Sequence, residues 1–265
     1  MQGECMAEDL NSALMWFFSV MPEAVSPFEV ALLALVSFFT SLLTAAAGIG
    51  GGTVLLAVMA QTFPALAIVP VHGAIQWGSN FGRAAIMWRH MDWRLVVYFL
   101  GGSLVGAVVG GQVVISLPVA YIQLILAVFI LYSTWGPKPS LSAVTEKSIL
   151  VGGLLSTILT MFVGATGPFV SVMLKRMSLG KFSQVATMSG CLVIQHSLKV
   201  FVFALLGFSF APYVPFILLL IATGFIGTLV GRYFLDRFSE AFFSILLNWV
   251  LTVLAFRLLW KALGF

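Results

Sequence analysis

The sequence predicts an all-α polytopic membrane protein of about eight to ten membrane segments, broken half-helices among them, built as two repeats of opposite orientation. Three observations predict it. Hydrophobic residues make up 61% of the chain and charged residues 8%; the apolar residues fall in runs separated by short basic gaps; and the second half echoes the first. With a mean hydropathy of +1.10, a water-soluble fold is excluded. At about 20 apolar residues per crossing, 265 residues leave no room for a sizeable soluble domain.

Residues 1–27 read as an acidic tail and an interfacial helix. Glu4, Glu8 and Asp9 stand where a signal peptide would be basic, and the helix over 12–20 is ended by Pro22 and Pro27. Apolar runs then cover 28–47, 53–63, 66–88, 95–115, 119–135, 149–163, 169–174, 185–206, 212–230 and 241–263. The runs 53–63 and 169–174 are too short to cross. Each follows a break, Gly48-Ile49-Gly50-Gly51-Gly52 or Gly164-Ala165-Thr166-Gly167-Pro168, and so reads as a half-helix entered through unwound backbone.

Basic residues mark one side of the membrane. Arg89 and Arg94, Lys138 and Lys147, Lys175, Arg176 and Lys181, and Arg232 and Arg237 sit in gaps, whereas 116–118 and 207–211 are uncharged. The positive-inside rule puts the basic gaps in the cytoplasm and the N-terminus in the periplasm; Arg257 and Lys261 fit this poorly. The net charge of +4 is therefore a topology signal, and no nucleic-acid partner is expected.

The repeat boundaries follow: 28–135 is the first repeat, 136–147 a cytoplasmic linker rich in Pro, Ser and charge, and 148–265 the second repeat. Besides the paired breaks, Gly102, Gly106 and Gly110 match Thr223, Gly227 and Gly231. These small-residue ladders let helices approach closely in lipid.

Candidate binding residues lie on two stripes. His72, Gln76 and Asn80 recur every four residues in the third run, and Cys191, Gln195 and Lys199 hold the matching positions in the second half. Polar side chains at that depth face a bundle interior or a watery cavity. Gln76, Asn80 and Gln195 also suit simple interhelical hydrogen bonding. An ammonium inside a span needs a counter-charge, and no acidic residue lies in a predicted span away from an interface, so an anionic ligand is the natural partner of Lys199. Snorkelling is the other reading for Lys199 and the favoured one for Arg83. His72 suits proton coupling or, slightly favoured, neutral hydrogen bonding. His196, adjacent to Gln195, should point about 100° away, onto a different face.

The breaks give the sign of the ligand. Unwound glycine backbone leading into a half-helix presents free N–H groups and the positive end of a helix dipole, which bind anions. Gly50, Gly51, Gly52, Thr53, Thr166 and Gly167 thereby join the candidate set; close helix crossing is the competing use of these glycines. A nucleotide loop is excluded because no βαβ unit surrounds 48–52. Cys5 and Cys191 are the two cysteines, which suggests neither a disulfide framework nor a thiolate metal site. No cofactor and no metal is expected.

At these residues the chain resembles the sulfite exporter TauE/SafE family, also called the toluenesulfonate uptake permease group. The resemblance rests on Ala47-Gly48-Ile49-Gly50-Gly51-Gly52 before a short apolar helix, on Trp88-Arg89-His90-Met91-Asp92-Trp93-Arg94, and on the Gly102-Ser103-Leu104-Val105-Gly106 ladder, and it covers 28–260. The second break departs from a full glycine run. The resemblance implies a secondary carrier of small sulfur-containing anions in a bacterial inner membrane, such as sulfoacetate or other organosulfonates, or sulfite, more readily an exporter than an importer. It also implies coupling to an ion gradient; proton or sodium is the candidate ion, and a homodimer is a plausible assembly. An anion channel or a carrier of another small organic anion is the alternative. An enzyme is not expected, because no metal-binding histidine motif, cysteine pair or intramembrane carboxylate dyad is present.

Overall fold

The computed structural model describes residues 12, 15–47, 50–114, 119–136, 145–234 and 240–262. The acidic tail with Glu4, Glu8 and Asp9, Cys5, Gly48 and Ile49 of the first break, the 116–118 gap, most of the linker (137–144) and Arg237 lie outside the described residues. Among the described residues all regular structure is helical. The first half holds α1 (Pro27–Ala47), α2 (Gly51–Thr62), α3 (Ala65–Met87), α4 (Trp93–Val114) and α5 (Val119–Trp135). The second holds α6 (Glu146–Val163), α7 (Gly167–Lys175), α8 (Lys181–Leu205), α9 (Val214–Phe234) and α10 (Glu240–Ala262).

Local chemistry sets several of these boundaries. Ser26 caps α1: the Glu29 carboxylate accepts from its N–H and its hydroxyl, each at 2.8 Å, a capping box before the first apolar turn. Thr145 and Ser148 form the same device at α6. Asp92 accepts from the amides of Arg94 and Leu95 at the start of α4. Pro64 separates α2 from α3, as a residue without an N–H at the start of a helix does.

Five helices among the described residues are long and apolar enough to cross a membrane: Pro27–Ala46, Trp93–Gln112, Glu146–Val163, Lys181–Leu205 and Ala211–Tyr233. α3 has the length, 23 residues, but His72, Gln76, Asn80 and Arg83 dilute its apolarity. α2 and α7, 12 and 9 residues long, are the half-helices the two breaks predict, well short of the roughly 20 residues a span needs.

The halves interlock. α1 packs along α9, α4 along α6, α3 along α8 and α5 along α10, so each half lends its first helix to the other half's fourth. The glycine ladders make these seams. A Cβ on Gly102 would fall on the Leu150 backbone, on Gly106 against the Leu154 carbonyl and on Gly110 against Ile158 and Met161. Gly227 and Gly231 meet the Phe38 and Leu42 backbone in the same way. The first rung of the second ladder is Gly224, set against Ser37 and Ser41, and not Thr223, whose hydroxyl donates to Leu220 of its own helix. On a helix of 3.6 residues per turn a seam position recurs after three or four residues, so Gly224, three before Gly227, shares the seam.

Residue numbers rise together along both seams, so α1 runs parallel to α9 and α4 to α6. α4 follows the turn at Trp88–His90, which packs on the start of α8 through His90 and Phe182. α9 follows the end of α8, at a turn where Tyr213 meets Phe63. α4 and α9 thus begin at opposite ends of α8, and the first helices of the two halves, α1 and α6, run in opposite senses, the relation expected of an inverted repeat. Arg94 and Glu146, 2.6 Å apart, tie the starts of α4 and α6 together.

Candidate functional site

The two half-helices point their N-terminal ends at one cavity. α2 starts at Gly50, which has left-handed backbone (φ 91°), a conformation that glycine adopts without a Cβ penalty. The Gly51 amide donates to Thr44 Oγ1 at 3.1 Å, and that hydroxyl donates to the Thr40 carbonyl at 2.8 Å. α7 starts at Thr166 with Pro168 in its first turn. Gly50, Gly52, Thr53, Ala165, Gly167 and Pro168 line the cavity from the breaks, joined by Thr44 of α1, His72, Gln76 and Asn80 of α3, and Met188, Leu192 and His196 of α8. No carboxylate is among them. Its volume, about 20 Å³, holds one or two water-sized groups.

The polar lining is organised from α3. His72 Nε2 lies 2.9 Å from the Gly52 carbonyl; a carbonyl only accepts, so Nε2 carries the proton and donates. This bond joins α3 to the first turn of α2. Among the described residues His72 Nδ1 and His196 Nδ1 are buried with no partner that meets hydrogen-bond geometry. The two rings meet edge to face, with centroids 6.4 Å apart and planes at 84°. Asn80 Nδ2 donates to the Gln76 carbonyl at 2.8 Å and reaches Gln76 Oε1 at 3.4 Å. The Gln76 amide lies over Gly52, where a side chain would crowd it.

Of the sequence-predicted residues, Gly50, Gly52, Thr53, His72, Gln76, Asn80 and Gly167 come together on the cavity wall. Gly51, Thr166, Cys191, Gln195 and Lys199 do not. Gly51 turns toward α1, where an added Cβ would strike Thr40 and Thr44. Thr166 donates to Gln195 Oε1 at 2.6 Å, and Gln195 Nε2 reaches Ser156 and Thr157 at 3.0 and 3.4 Å, so Gln195 binds α8 to α6 and α7. Cys191 packs in an apolar cluster with Leu95, Phe99, Val170 and Leu192. Lys199 is fully buried and donates to the Gly164 carbonyl at 3.0 Å, one residue from the wall at Ala165.

Two features differ from the sequence reading. His196 does sit on a different face from Gln195, and that face is the cavity face, carried by Met188, Leu192 and His196. Matching the stripe of α3 onto α8 set its rotation one residue off, about 100°. Only the histidine itself signals this face in the sequence, since Met188 and Leu192 are indistinguishable from core. Arg83 does not snorkel. It is 2% exposed, donating from Nη1 to Asn80 Oδ1 at 3.0 Å and from Nη2 to Ser79 Oγ at 3.4 Å. The end of α3 is covered by α9, with Phe225 over Gly82, and this closes the route to an interface.

Residues 33–258 match the family Sulfite exporter TauE/SafE. No curated protein and no solved structure matches the chain. The family match runs from α1 into α10 and takes in both half-helices and the whole cavity wall: the chain belongs to the sulfite exporter TauE/SafE family of membrane transporters.

Proposed function

We propose that this protein is a secondary carrier of small sulfur-containing anions, an organosulfonate such as sulfoacetate or sulfite itself, and exports them across the bacterial inner membrane by alternating access. One observation carries the reading: two half-helix N-termini converge on a cavity whose polar wall, among the described residues, is made of amides, hydroxyls and imidazoles with no carboxylate. Helix N-termini and N–H donors favour a negative ligand. The first-turn amides of α2 and α7, Gln76 and His196 contact the anion in this reading, while His72 holds α2 in place through Gly52 and Lys199 supplies positive charge from behind Gly164.

The cavity is smaller than a sulfonate, so loading it requires the surrounding elements to move. The two halves, 28–135 and 148–265, are the units proposed to shift, with the linker 136–147 cytoplasmic and the N-terminus periplasmic, as the basic gaps imply. A proton or sodium gradient drives the cycle in this proposal, and collapsing each gradient in proteoliposomes identifies the ion. A second copy of the chain is the proposed partner, read by the mass of the detergent-solubilised particle.

The test is thermal melting of the purified protein against sulfite, sulfoacetate, taurine, sulfate, thiosulfate, acetate and chloride. A ligand that binds the folded state raises the melting temperature with concentration. Stabilisation by sulfite or a sulfonate in preference to acetate and chloride is expected. Stabilisation by acetate alone, or by none of the panel, overturns the substrate assignment.

A further inference from the structure

Arg83 is a buried cation with no buried carboxylate to balance it among the described residues. Among the described residues the buried charged side chains are Arg83 and Lys199, and neither pairs with a carboxylate. An arginine placed this way within a membrane helix is costly and marks a functional path. Among the described residues its Nε is buried without a hydrogen-bond partner, so local hydrogen bonding does not account for it fully.

The guanidinium sits at the end of a directed chain of hydrogen bonds. It only donates, and therefore fixes Asn80 with Oδ1 toward Nη1 at 3.0 Å. Asn80 Nδ2 must then face the other way, where it donates to the Gln76 carbonyl at 2.8 Å and approaches Gln76 Oε1 at 3.4 Å. Gln76 Oε1 is thereby within reach of Asn80 Nδ2, and the Gln76 amide borders the cavity. Residues 76, 80 and 83 follow one another up one face of α3 at spacings of four and three, and Ser79, shared between Arg83 and Ser41 of α1, anchors the chain from behind.

We infer that Arg83 is a positioning and charge-compensating residue of the anion site, orienting Asn80 and through it Gln76 so that amide N–H groups face the substrate, and favouring doubly charged anions through its own unpaired charge. The inference rests on the anion-carrier reading above. The Gln76 main-chain carbonyl and the guanidinium hold the Asn80 amide from its two sides; without the cation Asn80 Oδ1 loses its donor, and Gln76 loses the polarised neighbour that biases its amide toward presenting N–H to an anion. With it, the chain is polarised in one direction, and successive hydrogen bonds reinforce one another. The charge lies one hydrogen bond from the wall in a poorly screened interior, so it acts more strongly on a dianion than on a monoanion.

The experiment compares affinities for sulfoacetate, a dianion, and methanesulfonate, a monoanion, in wild type, Arg83→Gln, Arg83→Lys and Asn80→Ser, using thermal shift and equilibrium binding in detergent. Arg83→Gln is expected to weaken sulfoacetate about tenfold or more and methanesulfonate about threefold or less, with Arg83→Lys restoring most of the dianion preference. A uniform loss for both anions, or no rescue by lysine, reduces Arg83 to a structural residue and overturns the inference. Should Arg83→Gln not insert, Asn80→Ser decides: it leaves the charge but cuts the chain, and unchanged affinity for both anions overturns the positioning role. Wild type that binds neither anion sinks the carrier reading itself, an outcome distinct from a wild type that binds while Arg83→Gln binds equally well.

Discussion

The Lys199 ammonium donates to the carbonyl of Gly164, 3.0 Å away, at the left-handed C-cap of α6 (φ 83°). The last carbonyls of a helix carry its negative partial charge, so the lysine is held by a helix end. Its stem reaches that carbonyl by crossing α3 at Gly73, where an added Cβ would meet Lys199 Cε. The second break is thereby pinned to α8 beside the cavity.

Lys199→Met is expected to weaken sulfoacetate binding about tenfold, the scale of one lost charge-assisted interaction. It leaves the buried Gly164 carbonyl unpaired, at about 1–3 kcal/mol of stability. Gly73→Ala should reproduce the effect in part by displacing the lysine. Equilibrium binding and melting of both variants check this; unaltered affinity in Lys199→Met removes the lysine from the anion's environment.

Gln195 and His196 should separate stability from binding. Gln195→Leu strands Thr166 and Thr157 and leaves Ser156 only its bond to Gly153, and is expected to lower the melting temperature markedly, since each buried polar group left unmet costs about 1–3 kcal/mol. His196→Phe keeps a planar ring beside His72 while removing both ring nitrogens, and is expected to preserve the fold while reducing anion affinity. Melting curves with and without sulfite distinguish the two, and the reverse pattern would assign the site to the Gln195 face.

Gly51→Ala is expected to destabilise the fold by about 1–3 kcal/mol or more, because its Cβ has no space between α2 and α1. Gly180→Ala is the control, with nothing within 4 Å of the new methyl and φ of −62°. As the N-cap of α8 it should be close to neutral, the smaller unfolded-chain entropy set against the weaker N-cap preference of alanine. Equal melting temperatures for the two variants would show that α2 does not depend on its contact with Thr40 and Thr44.

The interlocked seams predict paired phenotypes. Gly106→Val separates α4 from α6 at Leu154, and Gly227→Val separates α9 from α1 at Phe38. Each is expected to reduce the yield of monodisperse protein severely, and to similar degrees, because the seams occupy equivalent places in the two halves. Yield and size-exclusion profiles read this; a benign Gly227→Val beside a lethal Gly106→Val would break the equivalence.

Much of the architecture was legible along the chain because its causes are local. Apolar run lengths, the two glycine breaks and the ladder at Gly102, Gly106 and Gly110 reflect the cost of unpaired backbone in lipid and the space between close helices, and both leave periodic marks. The stripe of His72, Gln76 and Asn80 was readable for the same reason: a four-residue spacing on one helix fixes a shared face whatever surrounds it.

The sequence by itself determined the helical membrane class, the family, the two half-helices and the polar face of α3. Only the tertiary structure decided which face of α8 meets that stripe, bringing His196 rather than Gln195 to the cavity wall. It alone decided that Lys199 ends on Gly164 and that Arg83 is sealed behind Asn80. The physical reason is common to all three. Spacing fixes the angle between residues on one helix, but the rotation of that helix and the cover over its ends come from packing against helices distant in the chain, and no local pattern records them.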